Sequence, residues 1–172
     1  MSLLRTLLVL VSVFVVQVAV FSFIQPFGIS PNLLVLSGIA GAIVGGGDFG
    51  ARHGFAAGLL FDLVTPTPFG LAAGVFGAVA YGVGLFMAAF DSEDPRVVPI
   101  VAGIASFLGI VGFGLGLGVL GAEQHVNWGL LWIASVVSLW NVVLALPILS
   151  AYRWCISDRV YARSEPARSV VN

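Results

Sequence analysis

Gly54-Phe55-Ala56-Ala57-Gly58-Leu59-Leu60-Phe61-Asp62-Leu63-Val64-Thr65-Pro66-Thr67-Pro68-Phe69-Gly70 is the stretch on which the reading of this chain turns. It has the pattern of an apolar helix built on small residues, with one carboxylate, Asp62, placed just before a turn of Thr65, Pro66, Thr67 and Pro68. A carboxylate in a segment this apolar costs several kcal/mol unless it reaches a partner or water. On a continuous helix Arg52 lies about 15 Å away along the axis, too far to pair with Asp62. Compensation must come from backbone N–H groups of the neighbouring turn, from Thr65 or Thr67, from another span such as the one holding Asn141, or from water. Two roles compete: a pocket or interface carboxylate in the outer half of a bundle, and a cap that fixes the Thr-Pro-Thr-Pro turn. Under either role Asp62→Ala damages the protein.

Composition places that stretch in a membrane. Of the 172 residues, 59% are hydrophobic and 9% charged, against about 25% charged in an average soluble domain. A water-soluble fold of this length cannot hide so much apolar surface, so the chain reads as an integral membrane protein. The net charge of -1 and the scattering of the seven basic residues, all arginine, give no sign of a nucleic-acid partner. One cysteine, Cys155, excludes an internal disulfide and a cysteine-based metal cluster. After Arg5 the apolar run to Phe23 is longer than a signal-peptide core and lacks a small-residue cleavage site, so it reads as a retained first span.

Apolar runs broken by proline, charge or polar clusters divide the chain into six expected spans, at 4–24, 32–47, 49–65, 69–90, 97–120 and 128–152. The second and third meet at Gly45-Gly46-Gly47-Asp48-Phe49-Gly50, with five spans plus a re-entrant hairpin as the alternative. With the N-terminus inside the cell, Arg5, Arg52, Arg96, Arg153, Arg159, Arg163 and Arg168 all fall on the cytoplasmic side, and the connections near 25–31, 65–68 and 121–127 carry none. That is the distribution cytoplasmic flanks show, and it places both termini in the cytoplasm. Trp128, Tyr152 and Trp154 bracket the last span as interfacial rings. Residues 1–156 form the membrane domain, and 157–172 read as a short, disordered tail.

Glycine sorts the spans. The first has none and is bulky, so it is expected at the periphery. Later spans carry small-xxx-small rows, Gly41/Gly45, Gly50/Gly54/Gly58, Gly70/Gly74, Gly74/Ala78/Gly82, Gly112/Gly116 and Gly114/Gly118, which let backbones approach closely. Spans two to five are therefore expected to form a tight bundle.

Catalytic patterns fail on geometry. Gly45-Gly46-Gly47-Asp48 matches the G-x-G-D signature of intramembrane aspartyl proteases. Asp48 and Asp62, however, are about 21 Å apart along a helix and cannot share a water. The order of the two motifs is also reversed relative to that family. His53 beside Arg52 reads as helix-end solvation. Glu123 with His125 offers too few ligands for a metal. The run Asp91-Ser92-Glu93-Asp94-Pro95-Arg96 reads equally as a solvated helix end and stop or as a contact for a basic cytoplasmic protein, and Gln17 and Asn141 as mid-membrane packing. There is no G-x-S-x-G, P-loop, H-E-x-x-H or dinucleotide turn. No enzyme, metal or cofactor is expected.

Residues 54–63, the short proline-containing turn that follows, Gly70-Leu71, and Pro31-Asn32-Leu33-Leu34 at the start of the second span together resemble the rod shape-determining protein MreD family. The resemblance covers nearly the whole chain in length, span number and arginine placement. It implies a six-helix membrane bundle similar to the substrate-binding components of energy-coupling-factor vitamin transporters. The function it implies is a non-enzymatic scaffold of the bacterial inner membrane. Such a scaffold binds MreC and, through it, MreB, RodA and the class B penicillin-binding protein, helping to organise peptidoglycan synthesis. Its structural and interface residues are expected to be Gly54, Gly58, Asp62, Pro66, Gly70, Asn32 and Asn141, with the bulky first span as a second contact region. The Gly-rich second and third spans depart from the family's usual pattern. A small-molecule-binding subunit or carrier is the rival, and would show convergent polar or aromatic groups around an outward-opening cavity. For that role the outer loops offer only Trp128, Asn127, Glu123, His125 and Gln25.

Overall fold

The computed structural model describes residues 3–25, 28–90, 96–121 and 127–163, with backbone alone at 3 and 155–163. Residues 91–95, Glu123, His125, the Cys155 thiol, the side chains of Arg159 and Arg163, and Arg168 lie outside the described residues. Among those described, the chain is all helix: α1 Leu3–Ala19, α2 Leu33–Gly45, α3 Gly47–Val64, α4 Leu71–Phe90, α5 Val97–Val119 and α6 Trp128–Arg163. Among the described residues, three stretches are long and apolar enough to cross a membrane, Leu71–Phe90, Val97–Val119 and Trp128–Trp154. Helices α1 and α2 are apolar but shorter, and α3 carries Asp48, Arg52 and Asp62 within its 18 residues.

The centre of the molecule is α2. Its residues from Leu33 to Ala42 are all buried, and it touches every other helix. Its length has a physical reason. The Asn32 carbonyl accepts a hydrogen bond from Asn141 Nδ2, so α2 starts beside a point roughly 20 Å along α6 from its Trp128 end. Only the remaining half of the bundle's height is left for α2 to fill. The first helix ends at Ala19, short of the expected 24, because Gln17 is tied to the returning chain. Its Nε2 donates to the Pro31 carbonyl at 3.0 Å and its Oε1 accepts from Leu33 N–H at 2.7 Å. Conversely, α6 continues to Arg163, inside the stretch expected to be a disordered tail.

The tight bundle expected of spans two to five is tight only among α2, α3 and α4. Here α3 packs most extensively on α4 and next on α2, whereas α5 pairs chiefly with α6. The glycines account for this. A Cβ on Gly54 would sit 2.6 Å from Phe76 O, and one on Gly38 2.8 Å from Gly54 Cα, so α3 is pressed between two backbones. On α5, Gly103 and Gly114 lie against Val142 and Leu130 of α6. Helix α1 is peripheral, with Leu4, Leu7, Leu8, Val11 and Val15 exposed.

Alternation of direction brings like ends together. Ala40, Val98, Leu149 and Tyr152 form one buried cluster, with Val9, Ile43 and Val44 against it. Arg5 lies over the Trp154 ring at 5.7 Å. The described arginines, Arg5, Arg52, Arg96 and Arg153, therefore belong to one end of the bundle, and Asp62 with the 65–70 turn to the other.

Candidate functional site

Asp62, in the last turn of α3, accepts three backbone hydrogen bonds. Gly54, Gly58 and Asp62 are four residues apart and so share one face of the helix, and that face lies on α4. A Cβ on Gly58 would overlap Ala72 O and Ala73 Cα. This close approach carries the Asp62 carboxylate to the start of α4. Its Oδ2 accepts from Gly70 N–H at 2.9 Å and Ala73 N–H at 3.2 Å, and its Oδ1 from Ala72 N–H at 3.1 Å. These are the N–H groups that a helix's first turn leaves without intrahelical partners, at the positive end of its dipole. Asp62 thus caps the next helix across the turn, and it is only 5% exposed.

The turn is shaped to permit this. Thr67 N–H bonds the Thr65 carbonyl around Pro66, Leu71 N–H bonds the Pro68 carbonyl, and Gly70 has φ 95°. That left-handed conformation is one a side chain resists. Pro66 itself is exposed. Of the partners open to Asp62 from the sequence, the described structure supplies backbone N–H groups of the turn and of α4. Asn141 is engaged elsewhere.

A second polar node joins α2, α5 and α6. Asn141, fully buried, donates through Nδ2 to the Asn32 carbonyl at 3.2 Å and to Ser106 Oγ at 2.9 Å, while its Oδ1 has no partner among the described residues. Asn32 caps α2 by accepting Val35 N–H at 3.1 Å.

The third node corrects two expectations. His53, read as a solvated helix end, is 5% exposed and hydrogen-bonds Tyr152, itself fully buried rather than interfacial. The His53 ring also stacks on Phe49. The physical reason is the helical period: His53 shares a face with Gly50 and Ala57, both buried, and is turned inward although Arg52 points out. Ser106 and the Tyr152 partnership went unnoticed in the sequence. Ser106 stands among Ala102, Gly103, Ala105 and Gly109, a small-residue setting that signals a buried hydroxyl.

Chemically, these nodes hold helices together. Among the described residues no group of three or more His, Cys, Asp or Glu side chains could hold a metal. Asp48 and Asp62 lie at opposite ends of α3. A family model described as rod shape-determining protein MreD matches residues 1–154. No curated protein and no solved structure matches the chain.

Proposed function

From the premise that the chain belongs to the MreD family of rod shape-determining proteins, which the match over residues 1–154 establishes, we propose that it is a non-enzymatic scaffold of the cell-elongation machinery in the bacterial inner membrane. It crosses the bilayer six times with both termini in the cytoplasm. Its bundle is similar to the substrate-binding components of energy-coupling-factor transporters. It binds the membrane helix of MreC and, through MreC, acts on MreB, RodA and the class B penicillin-binding protein, helping to organise peptidoglycan synthesis.

One observation carries this reading. Asp62, Asn141, Gln17 and His53 each hydrogen-bond from one element to another, and the outward surface of α1 is apolar over several turns. A scaffold of this kind acts by packing, favouring one conformation of its partner. The face that Gly54, Gly58 and Asp62 share is covered by α4, so these residues shape the scaffold from inside and the MreC helix docks on α1. The topology is supported by the gathering of Arg5, Arg52, Arg96 and Arg153 at one end, which the positive-inside rule assigns to the cytoplasm. Co-purification with MreC in detergent tests the proposal. The pair is expected to co-elute, and a chain recovered alone while a control membrane pair associates would contradict it.

A further inference from the structure

At the Asp62 end, the last turns of α1, α3 and α5, the first turns of α6 and residues 28–32 enclose a cavity of about 600 Å³. Its walls are mainly apolar, with Phe61, Phe113, Leu117, Leu130, Ile133 and Val137, and its polar lining is Gln17, Ser30, Asn32 and Asn127. The volume is within the roughly 300–1,000 Å³ of small-molecule sites. Ile133, on the wall, is 43% exposed, so the cavity is not sealed at that point of α6.

The second observation is Asn32. It lines the cavity and is 6% exposed. Its capping bond to Val35 N–H can be accepted only by the amide oxygen, which fixes the orientation of the amide and leaves Nδ2 as the remaining group. No described residue engages Nδ2. The other deep amide on the wall, Gln17, uses its oxygen on Leu33 N–H and its nitrogen on the Pro31 carbonyl. An apolar chamber whose deepest unclaimed polar group is the Asn32 amide donor, with the Ser30 hydroxyl and Asn127 also on its lining, favours an apolar occupant that carries an acceptor oxygen.

We propose that this cavity binds a single uncharged amphiphile, with a carbonyl or hydroxyl oxygen accepting from Asn32 Nδ2 and a hydrocarbon body between α5 and α6. An ion is disfavoured because, among the described residues, none that lines the cavity carries a charge to offset its desolvation. A neutral acyl glycerol drawn from the bilayer and a free apolar ester share this chemistry. The site does not depend on MreC, and its test contains no partner protein, so the two proposals fail separately.

The test is native mass spectrometry of the full chain in detergent, titrated with 1-monooleoylglycerol, with ethyl benzoate, and with the anionic oleoyl lysophosphatidylglycerol. One neutral ligand per chain is expected, the acyl glycerol if the bilayer is the source and the ester if a free solute is. Two variants separate binding from folding. Asn32→Asp keeps an oxygen for Val35 N–H but removes the donor, and Ile133→Trp fills the mouth from a half-exposed position. Each is expected to weaken binding about tenfold or more, the loss of one good hydrogen bond or its equivalent in contact. Failure of both neutral probes to saturate, equal binding of the anionic lipid, or undiminished binding by both variants would overturn the proposal.

Discussion

At the scale of single residues, Asp62 shows how an expensive group becomes a structural asset. A lone carboxylate among apolar side chains is costly, but three backbone N–H groups at a helix start are themselves short of acceptors. Placing one against the others removes both penalties. Asp62→Ala strands the donors of Gly70, Ala72 and Ala73 and is expected to lower stability by about 3 kcal/mol, since bonds to a charged acceptor contribute roughly 1.5–3 kcal/mol each and are not additive. Asp62→Asn keeps one acceptor oxygen and should lose clearly less. Thermal unfolding of both variants in detergent checks the order; equal stability of Ala and wild type would contradict it. The need for a partner was legible in the sequence, because an isolated acid in an apolar run demands one. The choice of partner was not, since it depends on how closely two helices approach. His53 illustrates the opposite case. Its neighbour Arg52 drew attention to the helix edge, while the residues one turn either side, Gly50 and Ala57, pointed inward.

At the scale of elements, the contacts between helices follow from where glycine leaves room. The row Gly54, Gly58 and Asp62 could be read as one face of a helix, and that face is where α4 lies. The row Gly74, Ala78 and Gly82 has the same spacing, yet its residues are exposed, and a Cβ on Gly74 or Gly82 meets nothing within 4 Å. Spacing alone marks a face able to pack closely, not which faces do. The contrast is measurable. Gly58→Ala forces a methyl group into the backbone of Ala72 and Ala73 and should cost about 1–3 kcal/mol. Gly82→Ala should cost nothing and raise stability by up to about 1 kcal/mol, because the new methyl group touches nothing and alanine favours the helix. Melting temperatures measured side by side decide this, and equal losses would refute the assignment of the α3–α4 contact. The short lengths of α1 and α2 were hidden for a related reason. They are set by Gln17 and Asn32 meeting distant parts of the chain, and hydropathy over 4–24 or 32–47 carries no record of that.

For the whole molecule, the apolar composition, the helix number and the gathering of arginines at one end follow from the same cause. Helices with apolar outer surfaces and backbone hydrogen bonds made within each helix suit a hydrocarbon solvent. Arginine resists that solvent, so its positions mark one boundary. The six-helix order was readable from sequence because proline, glycine and charge punctuate the apolar runs. The central place of α2 was not, since nothing local distinguishes a buried apolar helix from one facing lipid. The account rests on a bundle whose arginine end lies in the cytoplasm and whose Asp62 turn lies outside. The most direct test is cysteine labelling in intact cells, on a Cys155→Ala background, with an impermeant maleimide. Phe69→Cys, on the exposed turn after Asp62, is expected to label in whole cells, and Arg96→Cys only after lysis. Labelling of Arg96→Cys from outside, with Phe69→Cys protected, would contradict the account.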